Sequence, residues 1–223
     1  MRNYNQKHLY LGLSALAAFF LWTAALQFID VQAIGPRESS VGFATVNRCI
    51  HNFTGVHMTL YIVTDWLGLV PIFFALGFAI LGLVQWIKRK SILRVDGSIL
   101  VLGGFYLIVF AAYLYFEMNA INFRPVLING YLEASYPSST TLLVMCVMPT
   151  AILQLNSRIK NILIRRSVAS ILVIFIRLMV IGRFISGVHW FSDIVGGALL
   201  SVGLVMLYHF FCGYAPSGKS EHR

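Results

Sequence analysis

Gly182-Arg183-Phe184-Ile185-Ser186-Gly187-Val188-His189-Trp190-Phe191-Ser192-Asp193 is a short polar turn between two apolar runs, 167–186 and 189–212. Each run has about the 20 mostly apolar residues that one crossing of a bilayer requires. The turn therefore sits at one membrane face, joining two spanning helices. Working outward, four more such runs precede it, at roughly 9–29, 58–87, 98–118 and 139–155. The whole chain is 58% hydrophobic and 11% charged, with a mean hydropathy of +0.78. A soluble domain carries far more charge than that, so the apolar excess must face lipid. The expected fold is all-α, a polytopic membrane bundle of six transmembrane helices with an outer interfacial segment. The first run is longer than a signal-peptide core, and no small-residue cleavage pattern follows Asp30, which reads as a retained helix.

The net charge of +9 reports topology, not nucleic-acid binding. Placing the N-terminus inside puts Arg2, Lys7, Lys88, Arg89, Lys90, Arg94, Arg158, Lys160, Arg165, Arg166, Lys219 and Arg223 on the inner side, twelve of seventeen basic residues. Arg37, Arg48, Arg124 and Arg183 fall outside, and Arg177 lies within a span. Cytoplasmic loops retain Lys and Arg, which fixes both termini inside; the expected location is a cell (inner) membrane. The inner basic residues also suit anionic lipid head groups. The three cysteines, Cys49, Cys146 and Cys212, suggest no pairing. Asn52-Phe53-Thr54 matches a glycosylation sequon, a triplet common by chance. Without repeats, low-complexity runs or a polar linker, the chain reads as a single domain, 1–223.

Several sequence features sit at membrane depth or at its edge. The longest non-spanning segment, Asp30 to His57, carries Val41, Phe43, Val46, Ile50 and Phe53 at spacings of three and four. That pattern predicts a short amphipathic helix at the interface over Ser39 to Phe53, or equally a loop packed on the bundle. Asp65 and Pro71 fall in the second span, and Arg177 in the fifth. Arg177 is expected to pair with Glu117 or Asp193 in a buried structural contact, because ionisable groups in a bilayer seek partners. Trp22, Trp66, Trp86 and Trp190 lie near span ends, where aromatic residues anchor helices at the interface.

Three polar segments share the outer boundary although they are far apart in the chain: Asn122-Phe123-Arg124-Pro125, Tyr136-Pro137-Ser138-Ser139-Thr140-Thr141, and the turn quoted above. Their chemistry suits phosphate. Pro137 in a first helical turn leaves the N–H groups and hydroxyls of Ser138 and Ser139 for an anion, aided by the helix dipole. Arg124 and Arg183 can each grip phosphate oxygens through paired N–H groups. His189 and Asp193, four residues apart, share one helix face. A carboxylate there can hold one imidazole nitrogen protonated and free the other for attack. Taken singly, a His-x-x-x-Asp pair is more often structural, and Arg-Pro says little; the combination on one face carries the reading.

These segments resemble the type 2 phosphatidic acid phosphatase family, six-helix enzymes that remove phosphate from lipid phosphates and diphosphates. Its motifs are Lys-x6-Arg-Pro, Pro-Ser-Gly-His and Ser-Arg-x5-His-x3-Asp. The third runs here from Arg183 through His189 to Asp193, with Gly182 at its leading Ser. The first retains Arg124-Pro125 but has Glu117 at its Lys. The second retains Pro137-Ser138, then has Ser139 for Gly and Thr140 for His. The resemblance implies His189 as nucleophile, Asp193 as its partner, and Arg124, Ser138 and Arg183 as phosphate ligands, without metal or other cofactor; Ser139 joins the expected phosphate ligands from its place at the helix start alone. The resemblance also implies a membrane lipid phosphate or diphosphate as partner, reached from the outer leaflet, and no nucleic acid. Glu117 and Thr140 are the expected modulators. Thr140 cannot supply the leaving-group proton that the family's His donates, because a hydroxyl is too weak an acid.

Three readings follow from those departures. A diphosphate substrate leaves readily without an acid, which favours polyprenyl diphosphates. Alternatively, Glu117, made acidic in role by burial, replaces the lost His. The third is a catalytically weak or inactive relative that binds or moves a lipid phosphate head group. The oligomeric state is not encoded in any of these features.

Overall fold

The structure, a computed structural model, describes residues 2–214, with side chains from Asn5 onward. Lys219 and Arg223 of the inner basic set lie outside the described residues. Among the described residues, six stretches are long and apolar enough to cross a membrane: Asn5–Phe28, Met58–Arg89, Gly97–Met118, Ser139–Arg158, Ile162–Ile185 and Phe191–Cys212. The chain is therefore an integral membrane protein of the expected all-α class.

The helices are α1 (Arg2–Phe28), α2 (Ala44–Thr54), α3 (Met58–Leu67), α4 (Leu69–Arg89), α5 (Gly97–Met118), α6 (Ser139–Arg158), α7 (Ile162–Ile185) and α8 (Phe191–Cys212). The second crossing, read from sequence as one run, breaks at Gly68 into α3 and α4. Pro71 explains the break: without an N–H it cannot bond the carbonyl of Leu67, four residues back.

Helix α8 lies against α1 and α6, and α6 also packs on α7. Little hydrophobic drive separates apolar helices from lipid tails, so close contact of small residues does the packing. A Cβ on Gly203 would meet the Leu16 side chain at 2.7 Å, and one on Gly196 would meet the Tyr136 ring at 2.3 Å. The core that results includes Phe19, Leu102, Tyr136, Val147, Met148 and Tyr208. At the end of the bundle opposite His189, Asp96 pairs with Arg89 at 3.0 Å and Arg158 at 3.7 Å, tying the ends of α4, α5 and α6 together.

At the site end, β1 (Gln32–Ala33) and β2 (Ser40–Val41) form a small antiparallel ribbon leading into α2. The expected interfacial helix thus begins at Ala44, after the ribbon. Its apolar stripe is not the inward face: Val46 and Phe53 are exposed, while Asn47 is buried. Asn47 Nδ2 donates to Gly42 O (2.8 Å) and Ser192 Oγ (2.9 Å), and its Oδ1 accepts from Ser192 N (3.1 Å). Hydrogen bonds, not apolar burial, therefore dock α2 on the start of α8. Trp66 and Trp86 are exposed as interface anchors would be, but Trp190 is buried among protein groups, its indole donating to Phe123 O at 2.8 Å. The interface reading of Trp190 is thereby corrected.

Candidate phosphate site

The segment between α5 and α6 turns back at Asn129-Gly130, both with positive φ (50° and 82°), as a tight hairpin turn requires. Ile128 and Tyr131 pair across it, as do Phe123 and Ala134. The fold-back brings Arg124 N to Glu133 O at 3.0 Å and Ser135 N to Asn122 O at 2.9 Å. It thus presents Arg124, Glu133 and Ser135 side by side above the start of α8. Asn129-Gly130 is a strong hairpin signal, and reading it would have placed Glu133 near Arg124; the sequence analysis missed Glu133.

His189 is 4% exposed. Its Nε2 lies 3.1 Å from Arg124 Nη1, and its Nδ1 lies 3.1 Å from the Ser135 carbonyl. A guanidinium only donates, so Nε2 must be the acceptor and Nδ1 must carry the proton. The network fixes one tautomer, with the lone pair of Nε2 facing Arg124. Asp193 Oδ2 is 3.6 Å from Nδ1, beyond hydrogen-bond reach. The direct orienter of the imidazole is thus the Ser135 carbonyl, with Asp193 a step further off. A backbone carbonyl has no residue-type signature, which is why sequence reading named Asp193 alone. Asp193, fully buried, accepts from Trp190 N (2.9 Å) and Asn122 Nδ2 (3.4 Å). Burial, followed by the cationic Arg124 and Arg183, drives the His189 pKa well below the ordinary 6.5, leaving the ring neutral at pH 7.

Arg124 Nε lies 3.0 Å from Glu133 Oε2 as an ion pair. Arg183, 1% exposed, pairs with Asp65 at 3.3 Å, so Asp65 has a partner that its sequence position alone did not reveal. Arg177 does not meet Glu117 or Asp193 as expected. It lies exposed on α7, and no ion pair of Arg177 occurs among the described residues; Asp193 is enclosed by the His189 turn instead.

The second motif is divided. Ser138 is the N-cap of α6, fully buried, its Oγ accepting from Thr141 N and Thr141 Oγ1, and its N–H donating to Asp193 O at 3.0 Å. The Ser138 N–H is therefore engaged within the protein and its hydroxyl oxygen accepts as the cap, and Pro137 precedes the helix instead of opening it. Ser139, in contrast, lines a narrow cavity with Tyr113, Phe116, Glu117, Ser135 and His189. Thr140 is buried and does not line it. Glu117 reaches the cavity from the end of α5 and is exposed, without the burial expected of it. The clear space is about one water molecule wide.

A buried neutral imidazole with a defined lone pair, flanked by two guanidinium groups at the membrane face, has the composition of a phosphoryl-transfer centre. The model of the PAP2 superfamily matches residues 72–215, and the chain belongs to that superfamily. No curated protein matches the sequence. Among solved structures, the chain is similar to a crystal structure described as the first transmembrane PAP2 type phosphatidylglycerolphosphate phosphatase from Bacillus subtilis. That likeness has a TM-score of 0.59 at 20% identity and covers 96% of this chain and 100% of that one; it bears on the fold.

Proposed function

We propose that this chain, as a single domain, is a metal-independent lipid phosphatase of the cell (inner) membrane that forms a phosphohistidine at His189. Its site faces the outer leaflet, and both termini are cytoplasmic. The observation that carries the reading is the fixed tautomer of His189, whose Nε2 lone pair faces Arg124. In the first step Nε2 attacks phosphorus, the P–N bond forms, and the bond from phosphorus to the leaving oxygen breaks. Arg124 and Arg183 balance the phosphoryl charge, and Ser139 at the first turn of α6 adds a donor. Asp193 stabilises the positive charge that the ring acquires. In the second step water attacks phosphorus, the P–N bond breaks, and inorganic phosphate leaves.

Thr140 is not among the residues lining the cavity, so it does not take the place of the family's leaving-group acid. A leaving group that departs as a phosphate monoester needs little protonation, whereas an alkoxide needs much. This favours a polyprenyl diphosphate as substrate. Glu117, exposed on the cavity wall, fits a different task, taking the proton from water in the second step. Expected in detergent without added metal is phosphate release that is fastest on the polyprenyl diphosphate. Release from phosphatidic acid and phosphatidylglycerolphosphate should be slower, and none should occur with His189→Ala. Equal rates on all three would remove the leaving-group argument, and unchanged turnover by Glu117→Gln would remove the role of Glu117.

One observation favours a second reading. Arg124 Nη1 lies against Nε2, and the cavity beside His189 has room for little more than a water, as a head-group binder without turnover would tolerate. Wild-type protein that binds lipid phosphate but releases none, with binding retained in His189→Ala, would establish it.

A further inference from the structure

Arg183 is held almost entirely by a helix outside the three motif segments. Its Nη1 lies 3.3 Å from both Tyr61 O and Thr64 Oγ1, and its Nη2 lies 3.3 Å from Asp65 Oδ1. Thr64 Oγ1 in turn approaches the helix carbonyls of Leu60 (2.8 Å) and Tyr61 (2.9 Å), so its hydrogen is directed there and its lone pair faces the guanidinium. The Tyr61 ring supports the other side: Arg183 Cζ stands 4.6 Å from its centroid and Arg124 Cζ 5.8 Å. Both distances are within the range of cation–π attraction. The same ring thus touches both phosphate-binding arginines.

The close approach of α3 has a counterpart in the third motif. A Cβ at Gly182 would sit 2.9 Å from Thr64 Cγ2, so a serine there would push α3 away from Arg183. His57 N donates to Ser186 O at 2.9 Å, binding the start of α3 to the end of α7. Beside these contacts, Arg183 Nε is buried with no hydrogen-bond partner. A buried N–H in that condition requires an explanation, and an anion that enters and leaves provides one.

We propose that Asp65 is a positioning residue for the phosphate site, acting with Tyr61 and Thr64 to hold Arg183 so that its buried Nε–H meets a phosphoryl oxygen. This rests on the phosphatase reading above and adds a fourth segment, α3, to the site. Asp65 does not touch substrate; it acts through Arg183. Because its carboxylate lies beside a phosphate ligand, two effects oppose each other, orientation of the guanidinium and competition with the incoming anion. Three hydrogen-bonded contacts on one rigid helix favour orientation.

The test measures kcat and KM for lipid phosphate, with inorganic phosphate as the competing probe, on Asp65→Ala, Asp65→Asn, Arg183→Ala and the Asp65→Ala/Arg183→Ala double variant. Asp65→Ala is expected to lower kcat/KM about tenfold, as loss of a partner that orients a ligating side chain does, chiefly through KM. Asp65→Asn should recover most of this, since its amide oxygen still accepts from Nη2 and its fold is the least disturbed. Arg183→Ala should cost more, and the double variant no more than Arg183→Ala alone, because both changes remove one function. Tighter phosphate inhibition in both Asp65 variants, an Asp65→Ala enzyme equal to wild type, or additive losses in the double variant would each overturn the proposal. If wild type released no phosphate, the phosphatase reading would fail instead. Thermal stabilisation by inorganic phosphate, retained in wild type and weakened in Asp65→Ala, would then still support the positioning role; equal stabilisation in both would overturn it.

Discussion

The spans of α6 and α8 have 56% and 44% of their most apolar window buried within the protein, whereas the α3–α4 crossing has 11%. The two regions solve different problems with a similar apolar composition. Helices α6 and α8 present Thr141, Gly197 and Ser201 to one another, small residues that allow backbones to approach without a hydrophobic drive. Helix α4 and the lipid-facing parts of α5 expose Phe73, Ile80, Leu107 and Phe110, surface that a bilayer covers. The chemistry sits where the packing is tight, at the start of α8 and the N-cap of α6. Phosphoryl transfer needs groups held to a fraction of an ångström, and only the closely packed pair provides that. The exception is instructive: α3 belongs to the loose crossing, yet its Tyr61–Asp65 turn is drawn onto α7 by Arg183.

The largest effect that sharpens this contrast lies on one helix. Arg183→Ala should lower kcat/KM by about a hundredfold or more, the scale for losing a donor aimed at developing charge. Arg177→Ala, six residues away and exposed, should leave kcat/KM within experimental scatter. Equal losses at both positions would show that the packing of α7, not the site, controls turnover.

A smaller effect compares glycines. Gly196→Ala forces a Cβ into the buried Tyr136 ring, next to the Ser135 carbonyl that orients His189. It should cost about 1–3 kcal/mol of stability and lower activity with it. Gly103→Ala, with nothing within 4 Å of its Cβ, should cost nothing measurable in a thermal melt in detergent. A harmless Gly196→Ala would contradict the close packing of α6 and α8.

The pH profile gives a gentler signature. Burial and the two arginines lower the His189 pKa from 6.5, so the neutral nucleophile persists as pH falls through the ordinary histidine range. Activity should hold between pH 7 and 6 where a free imidazole would be losing it, and decline only below. Folding follows the same sign. The unfolded chain binds a proton on this ring at 6.5 and the folded chain does not until lower pH. The stability that His189 contributes is therefore complete above about 6.5 and is lost as pH falls toward the depressed pKa. An acid limb centred at 6.5 would count against a buried, cation-flanked ring.

Much of this was legible in the sequence. Hydropathy locates six crossings because a bilayer imposes length and apolarity directly. The turn from Arg183 to Asp193 places a histidine and a carboxylate one helical turn apart, and the structure keeps them near each other. What hydropathy cannot see is a break inside an apolar run, and so the division of 58–87 at Gly68 was hidden, although Pro71 marks its cause. Backbone partners were equally invisible: Ser135 orients His189 through a carbonyl that any residue possesses. Ser138 looked like a free hydroxyl because a residue that can bind an anion can equally cap its own helix. Asp65 and Arg183 are 118 residues apart, and only the folded contact between α3 and α7 joins them.

The central claim is that His189 Nε2 takes the phosphoryl group. Rapid mixing of purified protein with a diphosphate lipid labelled at its terminal phosphorus, followed by an alkaline quench, tests it most directly. Phosphohistidine survives alkali and is lost in acid. Label retained on wild-type protein, mapped to His189 and absent from His189→Ala, is the result expected. Wild-type protein that turns substrate over with no trapped label at His189, or label that persists in His189→Ala, would contradict it.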